Sequence, residues 1–198
     1  MTKGRLEAFS DGVIAIIITI TVLLIDLPEG NGWGDLLSIL PIVASYFTSF
    51  ILVGTNWVNH HHLLQAARTV DGKILWANLL YLFILSFFPV TTGWVGRSGF
   101  ALVPVQVYIF VNLLGAISYY LLEKAVMQSK GNTALKDLID EPRKERWTIM
   151  VEIISLGITF VPGGHHLSCP LLIVAVAPWI VPDLRIKEGL EKNHDQNN

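Results

Sequence analysis

The sequence predicts an all-α integral membrane protein with six transmembrane helices per chain, and three observations carry that reading. Hydrophobic residues make up 52% of the 198 residues and charged residues only 15%, against about 25% charged in an average soluble domain. Mean hydropathy is +0.53. Apolar stretches recur at close to the ~20 residues a helix needs to cross a bilayer. Finally, the basic residues are distributed on one side of such a bundle, as argued below.

The spans are expected at roughly 6–27, 36–60, 74–96, 101–123, 145–162 and 167–184. Span 1 is apolar from Val13 to Ile25, interrupted only by Thr19 and Thr21. Acids precede its apolar run and no A-x-A site follows it, so it reads as a retained helix and not as a cleaved signal peptide. Span 2 closes on "WVNHHH", Trp57 to His62, and span 3 opens on "WANLLYLF" with Asn78 in its first turns. Spans 5 and 6 are shorter and joined by "PGGHH", whose Gly and Pro suit a tight turn. The charged stretch 124–146 is the one long polar connection, and the tail 186–198 is expected to be poorly ordered. The chain holds one six-span unit, with no internal repeat and no separate soluble domain.

With the N-terminus inside, this topology leaves Arg97 as the sole basic residue outside among the 14 Lys and Arg. Such a bias is the positive-inside pattern. It places both termini in the cytoplasm and the chain, as a multi-pass protein, in the cell membrane. A net charge of −2 offers nothing to a nucleic acid. The single cysteine, Cys169, cannot form an intrachain disulfide and reads as a small packing residue.

Topology then brings polar residues together. Arg5, Ser10 and Asp11 of span 1, the end of span 2 and the start of span 3 share one depth near the inner membrane face. A carboxylate there needs donors, and Trp57, a histidine and Asn78 can supply them. The expected cluster is Ser10 and Asp11 with Trp57, one of His60 or His61, and Asn78. It has a structural reading, fixing how span 1 packs, and a transport reading, handling protons or cations. Three successive histidines lie about 100° apart around a helix and cannot converge on one metal ion. Glu152, several residues into span 5, needs a partner or an interfacial position.

Span 1 has a second face. Ile16, Thr19, Ile20 and Leu23 follow i, i+3, i+4, i+7 spacing, extended inward by Phe9 and Gly12. Asp11 lies about 140° away from Ile16 around the helix. Taken alone, such a face is ordinary lipid-facing or packed surface.

"RLEAFSD", Arg5 to Asp11, is an R-x-x-x-F-S-D motif at the head of a first span. With "WVNHHH", "WANLLYLF" and six spans, it resembles the bacterial members of the transmembrane protein 175 family of potassium channels. The resemblance implies a potassium-selective, leak-like channel without a carbonyl filter, and indeed no T-V-G-Y-G occurs. It implies a homotetramer in the lipid bilayer, with span 1 of each subunit lining the pore. Ile16, Ile20 and Leu23 would form apolar constriction layers and Thr19 a polar pore-lining ring. Arg5, Phe9, Ser10 and Asp11 would form the span-packing motif, with Trp57, His61 and Asn78 as its partners. Four-fold symmetry would turn each pore residue into a ring, and a ring of Ile16 could gate by dewetting. No cofactor and no metal site are implied; the permeant ion is K⁺.

Two other functions compete. A proton channel or proton-coupled carrier would use Asp11, the histidines and Glu152. An intramembrane enzyme would need a second carboxylate or a nucleophile elbow at that depth, and the sequence offers neither, so no enzyme is expected.

Overall fold

The computed structural model describes residues 2–132 and 143–180. Among these residues the regular structure is entirely helical. Helix α1 runs Lys3–Val22, α2 Trp33–Ser38, α3 Leu40–Ala66, α4 Gly72–Leu85, α5 Phe88–Arg97 and α6 Leu102–Gln128. A 3₁₀ turn follows at Lys130–Asn132, then α7 at Arg143–Ile158 and α8 at His165–Ile180.

Among the described residues three stretches are long and apolar enough to cross a membrane: Leu40–Ala66, the α4–α5 stretch Gly72–Arg97, and Leu102–Gln128. Helix α1 has the length, but Lys3, Arg5, Glu7 and Asp11 occupy its first half. Helices α7 and α8 have 16 residues each, which at 1.5 Å per residue is about 24 Å, short of a ~30 Å hydrocarbon core.

Several expected boundaries move. Helix α1 ends at Val22 instead of 27, where amides of Leu23, Leu24 and Ile25 turn to carbonyls three residues back. This tightened last turn precedes Pro28, which lacks the amide to continue a helix. The second expected span divides into α2 and α3 at Ile39, with Pro41 in the first turn of α3. Helix α3 then runs to Ala66, so the three histidines lie inside it rather than at its end. The third expected span is interrupted between Leu85 and Phe88. Pro89 cannot donate to the Leu85 carbonyl, and that missing bond separates α4 from α5. Residues 181–184 of the sixth span, the tail 186–198 and residues 133–142 of the charged connection lie outside the described residues.

Helix α1 lies on α3, α4 and α5, while α6 packs on α4, α5 and α7. Burial alone does little to hold helices together in lipid, because lipid tails are as apolar as the helices. Close approach and hydrogen bonds do more. Ser49 Oγ lies 2.6 Å from both Thr92 Oγ1 and Tyr108 Oη, linking α3, α5 and α6 in the core. A Cβ on Gly96 would stand 2.6 Å from Ile42 Cα, so glycine is what lets α5 reach the α3 backbone. Between α7 and α8, Ser155 and Ser168 exchange hydroxyl-to-carbonyl bonds of 2.8 and 3.0 Å. Thr148 Oγ1 donates to the Ala175 carbonyl at 3.0 Å, and these pairings make the two helices antiparallel. Gly163, at φ +75°, makes the turn between them.

Asp71 caps α4. Its Oδ1 accepts from the amides of Lys73 and Ile74 at 2.9 and 3.0 Å. The Ile74 amide above all holds this exposed carboxyl below the usual range. At the opposite end of the bundle, Arg97 Nε donates to Asp26 Oδ2 at 3.1 Å and Nη2 to the Leu24 carbonyl at 3.3 Å. This exposed pair ties the chain leaving α1 to the end of α5.

Candidate functional site

Helix α1 is divided lengthwise. Leu6, Ser10, Ile14, Ile17 and Thr21 are buried; their steps of three and four residues make one face. Phe9, Ile16, Thr19, Ile20 and Leu23 are exposed in the single chain, Ile16 at 57% and Leu23 at 77% against 5% for Ile17. A Cβ added to Gly12 on that exposed side would meet nothing within 4 Å.

Hydrogen bonds hold the buried side. Asn78 Nδ2 donates to Ser10 Oγ at 2.9 Å, and its Oδ1 lies 2.7 Å from His60 Nε2. Because the Asn78 amide nitrogen is spent on Ser10, its oxygen must accept, which fixes His60 as the Nε2–H tautomer. Ser10, Asn78 and His60 are all fully buried or within 1% of it. One turn before His60 on α3, Trp57 Nε1 donates to Asp11 Oδ1 at 2.9 Å. Helix α1 is therefore bonded to α3 through Asp11 and to α4 through Ser10.

Not every residue of the expected cluster takes part. His60, not His61, meets Asn78. His61 stacks on Trp57 instead, with ring centroids 5.9 Å apart; the 100° step between neighbours puts them on different sides of α3. Arg5 is exposed and, among the described residues, its side chain makes no hydrogen bond or ion pair, so within one chain it does not hold α1 to α3 or α4. Phe9 is half exposed and shares the side of Ile16. The motif thus splits between the two faces: Ser10 and Asp11 bond inward, and Arg5 and Phe9 do not.

The threonines divide likewise. Thr21 Oγ1 donates to the Ile17 carbonyl at 2.6 Å on the buried face. Thr19 Oγ1 lies 3.0 Å from the carbonyls of both Ala15 and Ile16. Its proton is committed to the backbone, which leaves its oxygen lone pairs on the exposed side.

A second polar site lies deeper between helices. Glu152 is 4% exposed and its Oε2 has no hydrogen-bond partner among the described residues. It lines a cavity with Glu145, Asn56, Asn59, Asn112 and Thr148. The sequence singled out Glu152 but not its neighbours. The signal was the i, i+7 spacing of Glu145 and Glu152, which puts both on one side of α7. Among the described residues no group of three or more His, Cys, Asp or Glu could hold a metal ion.

Comparison with known proteins decides the family. A protein from a Chryseobacterium species named as a potassium channel is 44% identical over 194 residues, covering 98% of this chain and 100% of its own. The chain belongs to the TMEM175 family. The family model, described as the endosomal/lysosomal potassium channel TMEM175, matches residues 5–89. That match contains α1 from Arg5 onward and the clusters around Ser10 and Asp11. A crystal structure described as a lysosomal potassium-selective channel TMEM175 homolog, from Chamaesiphon minutus, superposes with a TM-score of 0.76 at 27% identity. It covers 91% of this chain and 97% of its own. A Gallus gallus TMEM175 named as an endosomal/lysosomal proton channel is 29% identical over 116 residues, which is 55% of this chain and 22% of that protein. The TMEM175 family is one of ion channels and not of enzymes.

Proposed function

We propose that this TMEM175-family chain is a potassium-selective, leak-like channel of the cell membrane. It assembles as a homotetramer with α1 of each subunit on the axis. The observation that carries the reading is the lengthwise division of α1. One face is bonded to its own subunit through Ser10 and Asp11, and the other leaves Ile16, Thr19, Ile20 and Leu23 exposed. The names of the bacterial relatives support the choice of ion. In this reading the chain crosses the membrane six times, with both termini cytoplasmic, and the shorter α7 and α8 pack within the bundle.

Around the axis, four Ile16 side chains make a dry ring that gates by dewetting. Ile20 and Leu23 add apolar layers. A K⁺ ion surrenders its water more cheaply than Na⁺, so a narrow apolar ring favours K⁺ without coordinating it by carbonyls. Thr19 oxygens, their protons committed to the backbone, replace part of the lost hydration.

A second reading is proton conduction, favoured by the animal relatives' names and by the Ser10–Asn78–His60 chain. That chain and the Asp11–Trp57 bond are separate links in one subunit.

Purified chain in liposomes tests both. A reversal potential that follows the K⁺ gradient, and shifts toward zero K⁺ preference in Ile16→Asn, is expected. A reversal potential that follows only the proton gradient would replace the first reading with the second. Native mass spectrometry in mild detergent is expected to give four chains; a monomer or dimer would count against α1 on a four-fold axis.

A further inference from the structure

We propose that the cavity lined by α3, α6, α7 and α8 binds one alkali-metal cation beside Glu152. This site is separate from the α1 stripe and lies within one subunit.

The cavity is about 40 Å³. A water needs about 10–15 Å³ of such space, so an ion with one or two waters fits. The wall is rich in acceptors and poor in donors. Asn59 Nδ2 donates to the Thr55 carbonyl at 2.8 Å, with the Trp179 carbonyl at 3.5 Å. Asn112 Nδ2 donates to the Tyr108 carbonyl at 2.8 Å. Flipping either amide would set oxygen against oxygen, so each keeps its Oδ1 free to accept, and Asn112 keeps one N–H beside it. Thr148 donates its proton to the Ala175 carbonyl and accepts from Trp179 Nε1 at 2.8 Å. Asn56 alone among the lining amides is uncommitted, and rotation presents either its oxygen or its nitrogen.

Into this wall comes Glu152, buried, with Oε2 unpartnered. A carboxylate in that position costs several kcal/mol unless something compensates it. No donor of the wall reaches Oε2, and the fixed amide oxygens of Asn59 and Asn112 line the same cavity. A donor set of carboxylate and amide oxygens selects a hard cation.

The charge favours a monovalent ion. Glu145 and Glu152 stand two turns apart on α7, about 10 Å along its axis. An ion beside Glu152 therefore meets one carboxylate directly. At the other end, Lys144 Nζ lies 5.7 Å over the ring of Trp179, which also lines the cavity. The one carboxylate an ion beside Glu152 touches is thus that of Glu152 itself. A divalent ion beside one carboxylate would leave a net positive charge buried among the helices, which a monovalent ion does not.

The test uses the purified full-length chain. Its unfolding midpoint is measured in choline chloride and in NaCl, KCl, RbCl, CaCl₂ and MgCl₂ at fixed ionic strength. A saturable rise with an alkali ion is expected, with apparent affinity at least ~10-fold weaker in Glu152→Gln. Ile16→Asn should keep the rise, so failure of the pore reading and failure of this one are distinguishable. Crystals of the wild-type chain grown in RbCl should show anomalous scattering beside Glu152, which needs no variant to fold. A rise that survives in Glu152→Gln, a response to divalent ions alone, a response to pH alone, or a cavity holding only water in the rubidium crystals would each overturn the proposal.

Discussion

On one side of α1, Leu6, Ser10, Ile14, Ile17 and Thr21 are buried against their own chain; on the other, Phe9, Ile16, Ile20 and Leu23 are exposed although nearly as apolar. Composition does not separate the two sides, since isoleucines occupy both. The separation comes from two polar residues. Ser10 and Asp11, adjacent in sequence, reach Asn78 and Trp57 and so fix the rotation of the helix about its axis. In lipid, where apolar burial gives no direction, one or two hydrogen bonds decide which isoleucine faces inward.

The comparison is broken most forcefully at Ile17. Ile17→Asn places an amide without an evident partner in a packed site, at a cost of about 2 kcal/mol or more. Loss of monodisperse protein in size-exclusion chromatography is expected. Ile16→Asn, one residue away, should assemble normally while conductance rises and K⁺ preference falls in liposome recordings. The reverse outcome would rotate the assignment of faces by one residue.

Next in size is Asn78→Leu, which removes the bonds to both Ser10 and His60. Interhelical hydrogen bonds in membranes contribute about 0.6–2 kcal/mol each, so a lowered unfolding midpoint in detergent is expected, with ion selectivity unchanged in whatever protein assembles. Asp11→Ala should act in the same direction and more weakly, about 1 kcal/mol, because Trp57 is part exposed and water can reach its N–H. A well-assembled Asp11→Ala with inverted selectivity would place the carboxylate in contact with the permeating ion.

The smallest effect sharpens the comparison. Gly12→Ala meets no atom of its own chain and should gain about 0.5–1 kcal/mol from helix propensity. If α1 helices of other copies stand close at this level, the gain becomes a loss of tetramer in native mass spectrometry while the isolated subunit stays folded.

The two faces of α1 were legible because a period of 3.6 is a property of sequence alone, and the pairing of Ser10 and Asp11 with Trp57 and Asn78 followed from placing span ends at one depth. The choice between His60 and His61 was not, because adjacent residues on a helix are distinguished only by rotation, which the partner helix sets. The division between α4 and α5 was written in "FFPV" and was hidden by the continuous apolarity on both sides of Pro89. The polar wall around Glu152 was illegible for a different reason: its amides come from α3 and α6, distant in sequence from α7, and nothing local marks Asn59 or Asn112 as neighbours of a carboxylate. Arg5 belongs to the same motif as Ser10 and Asp11, yet sits outside the bonded set. The helical period had put Phe9 on the Ile16 face and Asp11 on the other, but it did not show that Arg5 stays outside the bonded set.

The hydroxyl of Thr19 has a consequence for the sign of the charge that can pass. With its proton committed to the carbonyls of Ala15 and Ile16, it offers the exposed side of α1 electron pairs and no hydrogen. A chloride ion moving along this surface would meet no donor to replace a lost water, whereas a cation would meet an oxygen. In a pore lined by this face, the Thr19 level would refuse anions without a formal charge of its own, and that discrimination is expected to persist at high ionic strength, where a charged ring would be screened.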